Sequence, residues 1–141
     1  MTASASRFSL AFLLLASGLL LAGQAAAQDP KIGESEFRLH CAACHRLTGR
    51  GDGPIGPFLK TPAPNLAMIS RRNGGTFPVQ KIYNIIEGNS VIAAHGTHDM
   101  PLWGDRYRAE TKPQTPDQAV LSQDLAQLRI LSLVYYLATL Q

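Results

Sequence analysis

Cys41-Ala42-Ala43-Cys44-His45 is the stretch on which the reading of this chain turns. Two thiols stand about one helical turn apart, and an imidazole follows the second directly. A thioredoxin-like redox pair shares the C-x-x-C spacing but needs a βαβ setting, and no apolar alternation here is long enough for a strand. A disulfide between the two would close a very short loop and leave His45 without a role. A zinc site could draw on Cys41, Cys44, His95 and His98, although H-x-x-H is tighter than the usual His pair of a finger. The five residues together fit c-type haem attachment best. Each thiol can add to a vinyl group on one edge of the porphyrin, and His45 then offers the iron an imidazole nitrogen as proximal ligand. Covalent links hold a large apolar cofactor in a chain too small to bury enough surface without it.

Outward from the motif, the chain reads as helices joined by loops. Phe37, Cys41 and Cys44 fall at i, i+4 and i+7, which predicts a helix from Gly33 to Cys44. Residues Gly49 to Pro57 hold too many Gly and Pro for any regular element, and Pro62 and Pro64 extend the loop. Asn65 is placed to cap a short helix from Leu66 to Arg71, ended by Asn73-Gly74-Gly75. Pro78 suits the first turn of the next helix, with Val79, Ile82, Tyr83 and Ile86 on one face and Gly88 as the stop. From Asn89 to Tyr107 no period emerges, so the stretch is expected to be a functional loop, followed by a polar surface connection from Ala109 to Pro116. Thr115-Pro116-Asp117-Gln118 reads as a capping box opening a helix that runs almost to Leu140. Its apolar stripe is expected along Leu121, Leu125, Leu128, Leu131 or Ser132, and Tyr135. The expected fold class is all-α, with a thin core whose middle something else must fill.

The N-terminus has a different character. Arg7 is the only charge before Asp29, Phe8 to Leu21 is an apolar run of fourteen, and Ala25-Ala26-Ala27 supplies small residues for a peptidase. This is the layout of a secretory signal peptide, expected to be cleaved after Ala27, with residues 28–141 as the working domain. The run is shorter than the roughly 20 residues of a spanning helix, so no stable membrane insertion is expected after cleavage. Export agrees with the motif, because c-type haem is attached outside the bacterial cytoplasm. The chain's 141 residues fit one domain, and 45% hydrophobic against 16% charged residues argues against disorder. Thirteen basic and ten acidic side chains leave a net charge of +3, which gives no case for nucleic acid. Two cysteines exclude a disulfide-dense scaffold.

A second iron ligand has five candidates: Met68, Met100, His40, His95 and His98. Met68 lies in a short helix and reads as core. His40, directly before the first cysteine, is expected to be exposed. Met100 lies in an irregular stretch with Pro101 directly after it, so a rigid backbone can hold its sulfur inward. Met100 is the expected distal ligand, with His98 next. A His/Met pair raises the reduction potential and fills both axial positions, which suits electron transfer and leaves no site for a bound substrate.

With these residues in place, the region after the leader resembles a class I cytochrome c, a small soluble monohaem cytochrome, over nearly its whole length. Gly33, Phe37 and Cys41 look like the family's first helix entering the haem motif. Met100-Pro101 is similar to the axial methionine segment, and Leu133, Tyr136 and Leu137 look like the last helix, which crosses the first near Gly33. Gly56-Pro57 with Leu59 looks like the proximal loop, so by likeness the Pro57 carbonyl would orient His45, with Pro54 as the alternative. The resemblance implies a cytochrome c fold of short helices and loops around one covalent haem c. It implies a non-enzymatic, periplasmic carrier of single electrons between a redox-protein donor and acceptor, contacted transiently. A haem subunit of a larger dehydrogenase or oxidase complex is the alternative. An enzyme or gas sensor with a labile distal ligand comes after it.

Overall fold

The computed structural model describes residues 30–89 and 100–141. The expected leader and the histidines His95 and His98 lie outside the described residues. Six α-helices and two short 3-10 helices make up the regular structure there, with no strand among the described residues. They are α1 (Pro30–His40), α2 (Ala42–His45), α3 (Ile69–Arg72), α4 (Val79–Glu87), α5 (Trp103–Glu110) and α6 (Pro116–Thr139), with 3-10 turns at Gly56–Phe58 and Leu66–Met68.

The long helix α6 is the spine, and α1, α4 and α5 all pack on it. The crossing with α1 depends on Gly33. A Cβ there would collide with the Ser132 carbonyl oxygen and lie 2.8 Å from Tyr136 Cβ. Only glycine lets the two backbones come this close. Phe37, one turn on, fills the space beside the crossing and packs tilted against the Tyr136 ring, with the centroids 5.4 Å apart. Phe37, Ile82, Ile86, Trp103, Tyr107, Ile130, Leu133, Val134 and Leu137 form one core.

Capping follows the sequence closely. The Asn65 side chain accepts from the Ala67 N–H at 3.0 Å, and Gly88 ends α4 at φ 100, a conformation that favours glycine. Thr115 accepts from the Gln118 N–H at 3.3 Å. Gln118 reaches back to the Gln114 N–H at 2.8 Å, one residue beyond the usual target of a capping box.

Four expectations need correction. The first helix begins earlier, at Pro30, and is interrupted at Cys41 before resuming as α2. Trp103–Glu110 is a helix, where a loop and a polar connection were expected. Trp103, Gly104 and Tyr107 are buried there, but Trp103 and Tyr107 are the only large apolar side chains among them, and the charged residues between them hide the period. Pro78 caps α4 instead of opening its first turn. The stripe of α6 is also different: Leu121, Leu125 and Leu128 are 57%, 41% and 45% exposed, and the buried face runs through Ser122, Ala126, Ile130, Ser132, Leu133, Val134 and Leu137, so that of the expected positions Ser132 alone is fully buried. Small residues lie inward because α5 comes close. The Ser122 hydroxyl donates at 3.0 Å to the Arg108 carbonyl at the end of α5, satisfying a group that a helix terminus leaves open.

Candidate functional site

The cysteine motif enters through α1 and α2. Phe37 O accepts from the Cys41 N–H at 2.9 Å, and Cys41 O accepts from the His45 N–H at 2.9 Å. Both cysteines are free thiols. Burial, and secondarily the charge of Glu36, pushes the Cys41 thiol up to about 12. A reactive or metal-binding thiol has the opposite shift. The Cys41 environment suits a neutral sulfur, which a thioether is.

His45 is buried, and its Nδ1 lies 3.1 Å from the Pro64 carbonyl oxygen. A carbonyl only accepts, so Nδ1 carries the proton and Nε2 the lone pair that a metal needs. The acceptor expected by likeness, Pro57, does not have this role. Pro57 sits in the exposed 3-10 turn Gly56–Phe58. That turn is tied to α2 by the Gly53 N–H to Cys44 O bond at 3.0 Å and the Ile55 N–H to Ala43 O bond at 3.1 Å. The chain returns only later, where the Leu66 N–H bonds to Gly49 O at 2.6 Å and lays Pro64 across the histidine. A proline carbonyl directly before the Asn65 cap was the available signal.

A cavity opens above His45 in two lobes of about 80 Å³ and about 310 Å³, which share Cys41, His45, Pro64 and Met100. Cys44, Leu59, Pro62 and Trp103 line the smaller lobe. Phe37, Leu66, Ile82, Ile86, Leu133 and Leu137 line the larger, with Arg72 and Lys81 as its cations. Met100 is half-buried, and it lines both lobes with His45. Met68 is also half-buried but lines neither lobe. Trp103 is buried in the core.

His40 departs from the expected exposure. It is half-buried, its ring packs tilted against Trp103 with the centroids 5.0 Å apart, and its Nε2 stands 3.5 Å from Glu36 Oε2. Glu36 is the hub of a network that sequence reasoning missed. It accepts from Arg129 Nε at 2.9 Å, from Arg129 Nη2 at 3.0 Å and from the Tyr107 hydroxyl at 3.0 Å. The Arg129 guanidinium lies 3.7 Å from the centre of the Tyr107 ring. These partners are 71 and 93 residues away from Glu36 in sequence, beyond any local pattern.

The cavity fits a porphyrin in its chemistry: apolar walls, two thiols on one side, an imidazole with its lone pair on Nε2, and cations for carboxylates. Among the described residues no group of three or more His, Cys, Asp or Glu could hold a metal ion. Neither the curated proteins nor the solved structures that were compared give a match. The family model described as Cytochrome c matches residues 30–141. That span includes the motif, the cavity and every described helix, so the chain belongs to the cytochrome c family, whose members are haem-binding electron carriers with covalently attached haem c.

Proposed function

We propose that this chain carries single electrons between redox proteins in the bacterial periplasm, with Cys41 and Cys44 as thioether attachment points and His45 and Met100 as axial ligands. One observation carries the reading: His45 and Met100 line the same cavity, and both cysteines border it. Haem c, when bound, supplies an iron centre that gains and loses one electron. The protein's own part is positioning. The Pro64 carbonyl holds the His45 tautomer and raises its basicity as a ligand. The Met100 thioether is a soft donor and favours the lower iron charge. Phe37, Ile82, Ile86, Leu133 and Leu137 keep water from the cofactor, and Arg72 and Lys81 suit its two carboxylates. Residues 1–27 act as the export signal, so the matured protein is expected to begin at Gln28.

The test is an absorption spectrum of protein matured in a bacterial periplasm, oxidised, then reduced, then exposed to carbon monoxide. A c-type spectrum with the weak far-red sulfur-to-iron band, unchanged by carbon monoxide, is the expected result. A shift with carbon monoxide would favour an enzyme or gas sensor with an open distal site. A colourless product would return the motif to zinc or thiol chemistry.

A second reading has its own observation. Leu121, Leu125 and Leu128 are exposed on α6 beside the exposed Val120. An apolar row of this kind suits a haem subunit held in a larger redox complex. Gel filtration of the native extract separates the two readings by size.

A further inference from the structure

We infer that Glu87 is a positioning residue for Met100, an inference that rests on the reading of Met100 as the distal ligand. Glu87 is the last residue of α4 and lines neither lobe of the cavity. Its carboxylate is nonetheless buried, with only 7% of the side chain exposed. Oε1 accepts from Arg108 Nη1 at 2.6 Å. Oε2 is buried with no hydrogen-bond partner among the described residues. A buried carboxylate with one bare oxygen costs more than an apolar contact of the same size. Stability therefore does not account for the pair, whereas fixing one arrangement of two helices does.

The arrangement that Glu87 fixes is the start of α5. Gly104, the second residue of α5, lies so close that a Cβ there would stand 2.5 Å from Glu87 Oε2 and 2.6 Å from the Glu87 carbonyl oxygen. Arg108, held by the same carboxylate, is one turn further along α5. The first turn of a helix favours a negative charge, and Leu102, at the N-cap of α5, has no side-chain group to supply a cap. Leu102 packs instead on α4, where a Cβ on Gly88 would stand 3.1 Å from Leu102 Cδ2. The end of α4 thus grips α5 on both sides of Trp103. Met100 stands three residues before Trp103, with Pro101 restricting the backbone between them. Met100 and Trp103 line the smaller lobe together, and Ile82 and Ile86 of α4 line the larger. A shift of α5 along α4 therefore moves the Met100 sulfur relative to the cavity wall, and the Glu87–Arg108 pair opposes that shift. Asp105 also accepts from Arg108, at 2.7 Å, but it is 76% exposed and belongs to α5 itself, so it ties nothing across. With Gln123 of α6, which accepts from Arg108 at 3.3 Å, it leaves Arg108 partnered when Glu87 is changed.

The probe is imidazole, titrated into the oxidised holoprotein and followed by loss of the far-red sulfur-to-iron band. Imidazole binds only molecules whose Met100 has left the iron, so its apparent affinity rises with the population of that state. Far-UV circular dichroism in urea reports global stability on the same samples. Glu87→Gln removes the charge and keeps the shape, and is expected to raise imidazole affinity about tenfold. Glu87→Met combined with Arg108→Met exchanges the pair for apolar side chains. Imidazole affinity is expected to rise at least as much there, while the urea midpoint stays at or above that of the wild type. A pair that only stabilised the fold would not separate the two readouts. Asp105→Asn is expected to stay within about twofold of the wild type. Affinity within about twofold of the wild type in both Glu87 variants would overturn the inference. An equal rise in Asp105→Asn, or a rise only in step with a falling urea midpoint, would also overturn it. A wild type without the far-red band is a failure of the Met100 reading itself, whereas a wild type with the band and variants indistinguishable from it is a failure of this inference alone.

Discussion

At Arg46 the backbone turns directly after His45 with φ 59 and ψ 158, a region that non-glycine residues avoid at a cost of order 1–3 kcal/mol. The turn lets the loop come back beneath the imidazole. The Arg46 side chain adds only an exposed ion pair with Asp52 at 3.2 Å, and such pairs contribute little. Arg46→Gly is therefore expected to raise stability by about 1 kcal/mol in urea melts while leaving the haem spectrum unchanged. Equal or lower stability would show that the Arg46 side chain matters more than its backbone. Met100→Ala is expected to remove the far-red band, open the iron to carbon monoxide and lower the potential. A wild-type spectrum in that variant would transfer the role to His98 or to His40, which lines the smaller lobe.

The crossing of α1 and α6 has the least room for change. Gly33→Val would set a branched side chain against the Ser132 carbonyl and Tyr136 Cβ, and backbone cannot yield as a flexible side chain does. A loss of about 3 kcal/mol is expected, read as a lower urea midpoint with an unchanged slope. A loss under about 1 kcal/mol would mean that the helices separate easily. Gly33, Phe37 and the α6 residues Leu133 and Leu137 could be read from sequence because local spacing and family likeness agreed on them. The inward face of the N-terminal half of α6 could not. Its leucines follow a helical period as good as that of the buried face, but α5 approaches the Ser122 and Ala126 side, and no local pattern records that. Trp103–Glu110 was hidden for the same reason: Asp105, Arg106, Arg108 and Glu110 carry the solvent side, leaving two aromatics as the whole apolar signal. At the site, the motif residues were readable from bond-forming chemistry. The choice of Pro64 over Pro57 depends on where a loop of glycines and prolines doubles back, and that is settled by the Leu66–Gly49 and Ile55–Ala43 hydrogen bonds.

The whole molecule is tied across its length by the Glu36–Tyr107–Arg129 network, which joins α1, α5 and α6 beside the cysteine motif. Its response to pH follows from Tyr107. Burial, then the Glu36 charge and the hydrogen bond to Glu36, push the Tyr107 hydroxyl well above its ordinary value of 10.0. The folded chain therefore holds this proton more tightly than the unfolded chain does. The stabilisation is complete below pH about 10, where both states are protonated, and it declines as pH rises toward the folded value. The slope from this one group approaches about 1.4 kcal/mol per pH unit. Tyr136 and Tyr83 are raised in the same direction, chiefly by burial, so they add to the alkaline loss but remain in a Tyr107 variant. Cys41, pushed up to about 12 as a thiol, adds only in the haem-free chain, because a thioether has no proton to lose. Tyr107→Phe removes one hydrogen bond, for a loss of about 1 kcal/mol at neutral pH. In holoprotein unfolded by urea between pH 7 and 11, the variant is expected to begin less stable and to lose less as pH rises, so the two curves converge. Parallel curves would show that Tyr107 does not control the alkaline limit.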